Sequence, residues 1–127
     1  MTAWTADELD RIEAADELEI ASLRRDGTLG SHRTIWVARV GDDLYVRSVN
    51  RRRSDWFRGT QVRQEGQISA GGVEKDVIFV EVDPDGDMAD RIDDAYRTKY
   101  RSHAANIIGS TLTSDARSAT LKLEPRL

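Results

Sequence analysis

The residues best suited to chemistry lie together in Arg47-Ser48-Val49-Asn50-Arg51-Arg52-Arg53-Ser54-Asp55-Trp56-Phe57-Arg58. Guanidinium forks such as those of Arg47, Arg52 and Arg53 bind phosphate oxygens bidentately, and the Ser48 and Ser54 hydroxyls add donors. A helix opening at Ser54 would aim its free amide hydrogens at the same anion. Trp56 and Phe57 could wall a flat ring. The same residues also suit a solvated loop whose arginines pair with carboxylates elsewhere, because arginine clusters are common and of low specificity. A second set is Tyr96, Lys99, Tyr100 and His103. Residues four apart share a helix face, so two phenols, an amine and an imidazole could line a cleft as proton donors. That spacing equally suits tyrosines packed with Met88 and Ile92 in a core, with their hydroxyls at its rim.

Other chemistries are excluded or weakly signalled. The chain has no cysteine, which removes disulfides, thiolate nucleophiles and sulfur-ligated zinc, and agrees with a reducing compartment. His32 and His103 are the only histidines and do not have zinc-ligand spacing. Asp83, Asp85 and Asp87 imitate the start of a calcium loop. Met88 stands where the sharp-turn glycine is needed and no bidentate Glu follows, so these acids read as a turn before a helix. No metal site is expected. No Gly-x-Ser-x-Gly elbow is present, and Gly27, Gly30, Gly71 and Gly72 match neither a Walker loop nor a dinucleotide fingerprint. The net charge of −4 argues against a dedicated nucleic-acid binder.

The elements that must position these residues can be read in order. Thr5 and Glu8 have capping-box spacing, Trp4 and Leu9 form the accompanying staple, and a helix is predicted over about 5–15. Glu17 to Leu23 alternates as a half-buried strand. Arg33 to Val40 reads as a second strand, with Ile35 and Val37 on one face and Trp36, Ala38 and Val40 on the other. A strand apolar on both faces is covered on both sides, by a barrel interior and by a helix or partner. Gly41-Asp42-Asp43 signals a hairpin, and Leu44 to Val49 returns. A short helix is predicted from Asp55 to about Gln64, then strands over Gln67–Ala70 and Val73–Val82 around Gly71-Gly72. The run Val77-Ile78-Phe79-Val80 makes the last of these central. A helical region carrying Met88, Ile92, Tyr96 and Tyr100 ends near Gly109. Ser114 caps one more turn, and Ala119 to Leu123 closes the chain.

Hairpins dominate this order, so pairing is antiparallel, and five or six such strands tend to roll up to hide their edges. The expected fold is α+β: an antiparallel split β-barrel with flanking helices, as one domain over residues 1–127. The chain is 39% hydrophobic and 33% charged, the balance of a folded, solvated protein. No apolar run approaches the roughly 20 residues of a membrane span. The start Met1 to Glu8 has neither a basic nor an apolar stretch, so a cytoplasmic location is expected.

The stretch from Ile35 to Ser48, the basic loop after it and the helix opening with Trp56 resemble the flavin-binding split barrels. That group includes the pyridoxamine-phosphate-oxidase-like proteins and the deazaflavin-dependent nitroreductases. The ending, Ala95 to Tyr100 and then Ala119 to Arg126, is similar to a small uncharacterised bacterial family allied to them. The resemblance implies a homodimer holding FMN or a deazaflavin at its interface. It assigns phosphate contacts to Arg47, Ser48, Arg52, Arg53 and Ser54, and puts Trp56 near the cofactor wall. Two positions depart from the deazaflavin reductases: Gly27 to Arg33 lacks a Gly-Arg-x-Ser-Gly segment, and Gly59 stands where a Trp-x-x-Asn helix has its asparagine. The function implied is that of an oxidoreductase on a small organic substrate, with Tyr100 or Lys99 delivering the proton. Two alternatives stand beside it: a cofactor-free barrel binding or transforming a small acidic or aromatic ligand in the same cleft, and a non-enzymatic dimeric interaction module.

Overall fold

The computed structural model describes residues 4–48 and 55–126. In chain order the elements are α1 (Ala6–Ala14), β1 (Leu18–Ser22), β2 (Arg33–Ile35), β3 (Val37–Val40), β4 (Asp43–Arg47) and α2 (Asp55–Arg63). They continue with β5 (Glu65–Ala70), β6 (Val73–Glu81), α3 (Asp87–Lys99), α4 (Ala105–Ser110), α5 (Ser114–Ser118) and β7 (Thr120–Pro125). The capping box is formed: the Glu8 amide donates to Thr5 Oγ1 at 3.1 Å, and the Thr5 amide donates to Glu8 Oε1 at 2.9 Å. Trp4 and Leu9 are buried, and the Trp4 indole donates to the Leu123 carbonyl at 3.0 Å, which fastens α1 to β7.

All strand pairs are antiparallel, in the order β2-β1-β5-β6-β7-β4-β3. The two ends of that order are consecutive in the chain. Strand 33–40 therefore does not run straight, as its alternation suggests, but breaks at Trp36. Its first half pairs with Leu18–Ile20 and its second half with Asp43–Val46. One bent segment supplies both edges of the sheet, and the result is a nearly closed seven-stranded barrel. β6 is fourth in the order, the central place its apolar run indicates.

Alternation sorts side chains into two cores. Val37, Leu44, Val46, Val77, Phe79, Leu121 and Leu123 fill the interior, with Leu9 and Ile12 from α1 and Trp56 and Phe57 from α2. Ala38 and Tyr45 point outward and are covered by Ile92, Tyr96 and Tyr100 of the α3 region, with Trp36 and Val40 beside them. The two-sided strand thus has its outer cover in the same chain.

Three boundaries differ from the sequence reading. The helical region ends at Lys99 and resumes only at Ala105, because the chain turns there and lays Tyr100 and His103 against Trp36. Gly109 lies inside α4 rather than ending it. Thr113, not Ser114, caps α5, accepting from the Ala116 amide at 3.1 Å. Asp83 behaves as turn chemistry, its carboxylate accepting from the Asp85 amide at 2.9 Å. Among the described residues no helix is long and apolar enough to cross a membrane, and no group of three or more acidic or histidine side chains is gathered to hold a metal.

Where β5 crosses the barrel, Gly66 is the only residue type that fits. A Cβ there would lie 2.1 Å from the Ala21 carbonyl oxygen and 2.8 Å from the Phe79 ring. Gly66→Ala is expected to destabilise the fold by about 1–3 kcal/mol through overpacking, measured as a lower urea midpoint at unchanged slope.

Candidate functional site

The basic segment joins the end of β4 to the start of α2 in the sequence. Arg47 stands at its base with a fully buried side chain. Its guanidinium donates to the Asp93 carboxylate, to the Thr111 carbonyl at 2.9 Å, to the Ala89 carbonyl at 3.1 Å and, through Nε, to Thr120 Oγ1 at 2.9 Å. It also sits 5.6 Å from the centre of the Tyr96 ring. This is a brace between β4, β7, α3 and the turn before α5, not a free fork. Asp93 is shared: Arg117 reaches the same carboxylate at 2.7 Å and also pairs with Asp90. Burial pulls the Asp93 carboxyl up, but hydrogen bonds from Arg117 and Arg47 outweigh it and hold the group below its ordinary value.

Ser48 is buried, and its amide donates to the Ala119 carbonyl at 3.1 Å. Trp56 is 8% exposed and packs edge-on to Phe57 within the interior core, with ring centres 5.8 Å apart. Arg52, Arg53 and Ser54 lie outside the described residues. The structure thus brings Arg47, Ser48 and Trp56 to the base of the segment, where each is already packed or bonded.

The second set occupies the barrel corner. The Tyr100 hydroxyl accepts from the Val37 amide at 3.1 Å and donates to the Asp16 carbonyl at 2.8 Å. Lys99 Nζ donates to the Val37 carbonyl at 3.0 Å. The Tyr100 ring lies flat on Trp36, with centres 3.9 Å apart and planes 5° apart, and His103 tilts onto both rings. His103 Nε2 is 3.3 Å from the Asp16 carboxylate. Burial raises the Tyr96 and Tyr100 phenols well above their ordinary value, and burial lowers the Lys99 ammonium to about 8. Tyr100 therefore works here as a neutral two-way hydrogen-bonding group that joins the Val37 and Asp16 backbone. Trp36 is half-buried rather than enclosed.

Asp93 and Arg117 were not singled out from the sequence. A signal for Asp93 existed, since Ala89, Ile92, Asp93, Tyr96 and Tyr100 form one helical stripe and a carboxylate on it must be buried. Arg117 has no such signal.

Residues 8–123 match the family model DUF2255, described as an uncharacterized protein conserved in bacteria. The chain belongs to that family. No curated protein matches the sequence. Among solved structures, the heme storage protein HutZ of Vibrio cholerae superposes with a TM-score of 0.67 at 12% identity, over 96% of this chain and 90% of that one. A protein described as F420 reductase gives 0.58 at 15% identity, over 93% and 92%. A pyridoxamine 5′-phosphate oxidase candidate from Listeria innocua gives 0.64 at 14% identity, over 94% and 90%. At such identities the likeness is one of fold, and that fold is the split barrel of the pyridoxamine-phosphate-oxidase-like proteins.

This family member's departure at Gly59 has a packing reason. A Cβ at Gly59 would lie 2.0 Å from Ser22 Oγ and 3.0 Å from Ser22 Cβ, so α2 sits directly on β1. An asparagine at this position would require the Ser22 side chain to shift.

Two outcomes follow for the braces. Tyr100→Phe is expected to lose about 1–3 kcal/mol in urea unfolding, because the Val37 amide loses its acceptor; unchanged stability would count against the corner role. Asp93→Asn is expected to cost about 1–3 kcal/mol at neutral pH, since it leaves the buried Arg47 guanidinium without a carboxylate and Arg117 with Asp90 alone. Because the folded carboxyl ionises below its ordinary value of 3.8, this contribution is complete above that value and is lost as pH falls through the lowered one. The stability gap between wild type and Asp93→Asn should therefore narrow in acid, as read from unfolding midpoints at a series of pH values.

Proposed function

We propose that this protein binds a flavin or deazaflavin nucleotide and serves as an oxidoreductase on a small organic substrate. The observation that carries the reading is where the segment's two ends are held: β4 closes on the braced Arg47 and buried Ser48, α2 opens at Asp55, and Arg51, Arg52 and Arg53 stand between them in the sequence. Guanidiniums, a hydroxyl and helix amides form a donor set suited to a doubly charged phosphate. The fold shared with proteins described as F420 reductase and as a pyridoxamine 5′-phosphate oxidase candidate supports the same reading. In it Arg52, Arg53 and Ser54 hold the phosphate, Arg47 and Ser48 keep the base of the segment in place, and Trp56 backs the ring from within the core. The bound ring would supply the hydride chemistry. Tyr100 and Lys99, engaged with the corner backbone, position structure in this reading and leave proton delivery to solvent or substrate.

A homodimer belongs to the proposal. Ile78 and Val80 lie on the outer face of β6, 37% and 38% exposed, and a second copy could cover them. The engagement of Arg47, Lys99 and Tyr100 within the monomer favours a second reading, a cofactor-free barrel that binds a small ligand.

Absorbance and fluorescence titrations of the purified protein with FMN, riboflavin, a deazaflavin and heme test the reading. Saturable binding of FMN or the deazaflavin is expected, and Arg52→Ala with Arg53→Ala should weaken FMN by roughly tenfold or more while leaving riboflavin little changed. Equal losses for both would count against the clamp. Binding of heme alone would replace the cofactor class, and binding of none would favour the second reading.

A further inference from the structure

A cleft of about 430 Å³ lies between α1, β3 and α3, on the outer side of the barrel. Its β3 wall is Arg39 and Val40, at the hairpin end where Val40 pairs with Asp43, roughly 13 Å along β4 from Arg47, where the basic segment begins. We propose that this cleft binds a small carboxylate with an apolar body. The volume falls within the range of small-ligand sites. Val40 and Ala95 offer the apolar floor, and the charges around it are unevenly paired. Glu13 is already bonded to Arg39 at 2.8 Å, and Asp94 to Arg97 at 3.0 Å. Arg91 and Lys99 also line the cleft, and among the described residues neither has a carboxylate within ion-pair distance. The further acids on Arg39, Asp10 and Asp42, are 73% and 94% exposed and solvated at the rim.

The half-buried Lys99 ammonium has one backbone carbonyl and the Tyr100 ring 5.2 Å away, and an anion beside it would relieve the remaining desolvation cost. The groups facing Lys99 are Glu13 and Asp16 from α1 and the link after it, Arg39 from β3, and Arg91, Asp94 and Tyr100 from α3 and its end, with His103 beyond Asp16. Burial lowers Lys99 to about 8, with Asp16 and Glu13 opposing. Binding of an anion favours the charged amine, so affinity is complete below that pH and falls as pH rises through it.

The test uses the full chain without added cofactor and benzoate as the probe, with benzamide as its neutral isostere, read by amide chemical shifts in two-dimensional NMR. Benzoate at pH 7 is expected to shift Val40, Ala95 and Thr98 saturably, at least tenfold more tightly than benzamide. Arg91→Gln, a change at an exposed side chain, should weaken benzoate about tenfold with the spectrum otherwise retained, and raising the pH to 9.5 should weaken it further. Equal binding of benzamide, shifts that do not saturate, or shifts centred on other residues would each overturn the assignment. The outcome does not depend on whether a flavin binds.

Discussion

The barrel depends on how the backbone is satisfied at its corner. Strand 33–40 turns at Trp36 so that one segment can serve both sheet edges, and side chains from the end of α3 bond its backbone at the turn. The Tyr100 hydroxyl receives the Val37 amide and passes its own hydrogen to Asp16, while Lys99 takes the Val37 carbonyl. A buried amide without a partner costs more than a made bond gains, so the corner is stable only with α3 ending where it does. The stacked Trp36 and Tyr100 rings fix that end sterically.

The same helix supplies the second fastening. One stripe of α3 presents the Ala89 carbonyl and Asp93 to Arg47, then Tyr96 and Tyr100 to the corner. Apolar burial places the helix on β3 and β4 without choosing a register, because it is non-directional. The Arg47–Asp93–Arg117 bonds are directional and severe when half-made, so they select one register among those that bury similar area. Chemistry-bearing side chains at the centre of the fold are thereby committed to its geometry. Arg47, Lys99 and Tyr100, which carry the chemistry by residue type, serve the frame instead.

Much of the architecture could be read from the residues. Capping chemistry fixed the first helix through Thr5 and Glu8, strict alternation assigned Val37 and Ala38 to opposite faces, and the apolar run around Phe79 marked the central strand. These features are local, depending on neighbours one to four residues away, and one chain carries them in full. The strand break at Trp36 was hidden because a bent strand keeps the same alternation as a straight one.

The reactive appearance of Arg47, Lys99 and Tyr100 came from residue type alone, and residue type does not disclose partners 42 to 84 positions distant. Sequence by itself determined the element types, the faces and the antiparallel character, since those follow from periodicity and turn chemistry. Only the tertiary structure decided which polar groups are sealed into the frame and which stay open. That choice rests on who meets whom across the barrel, where burial makes an unpaired donor or charge too costly to leave.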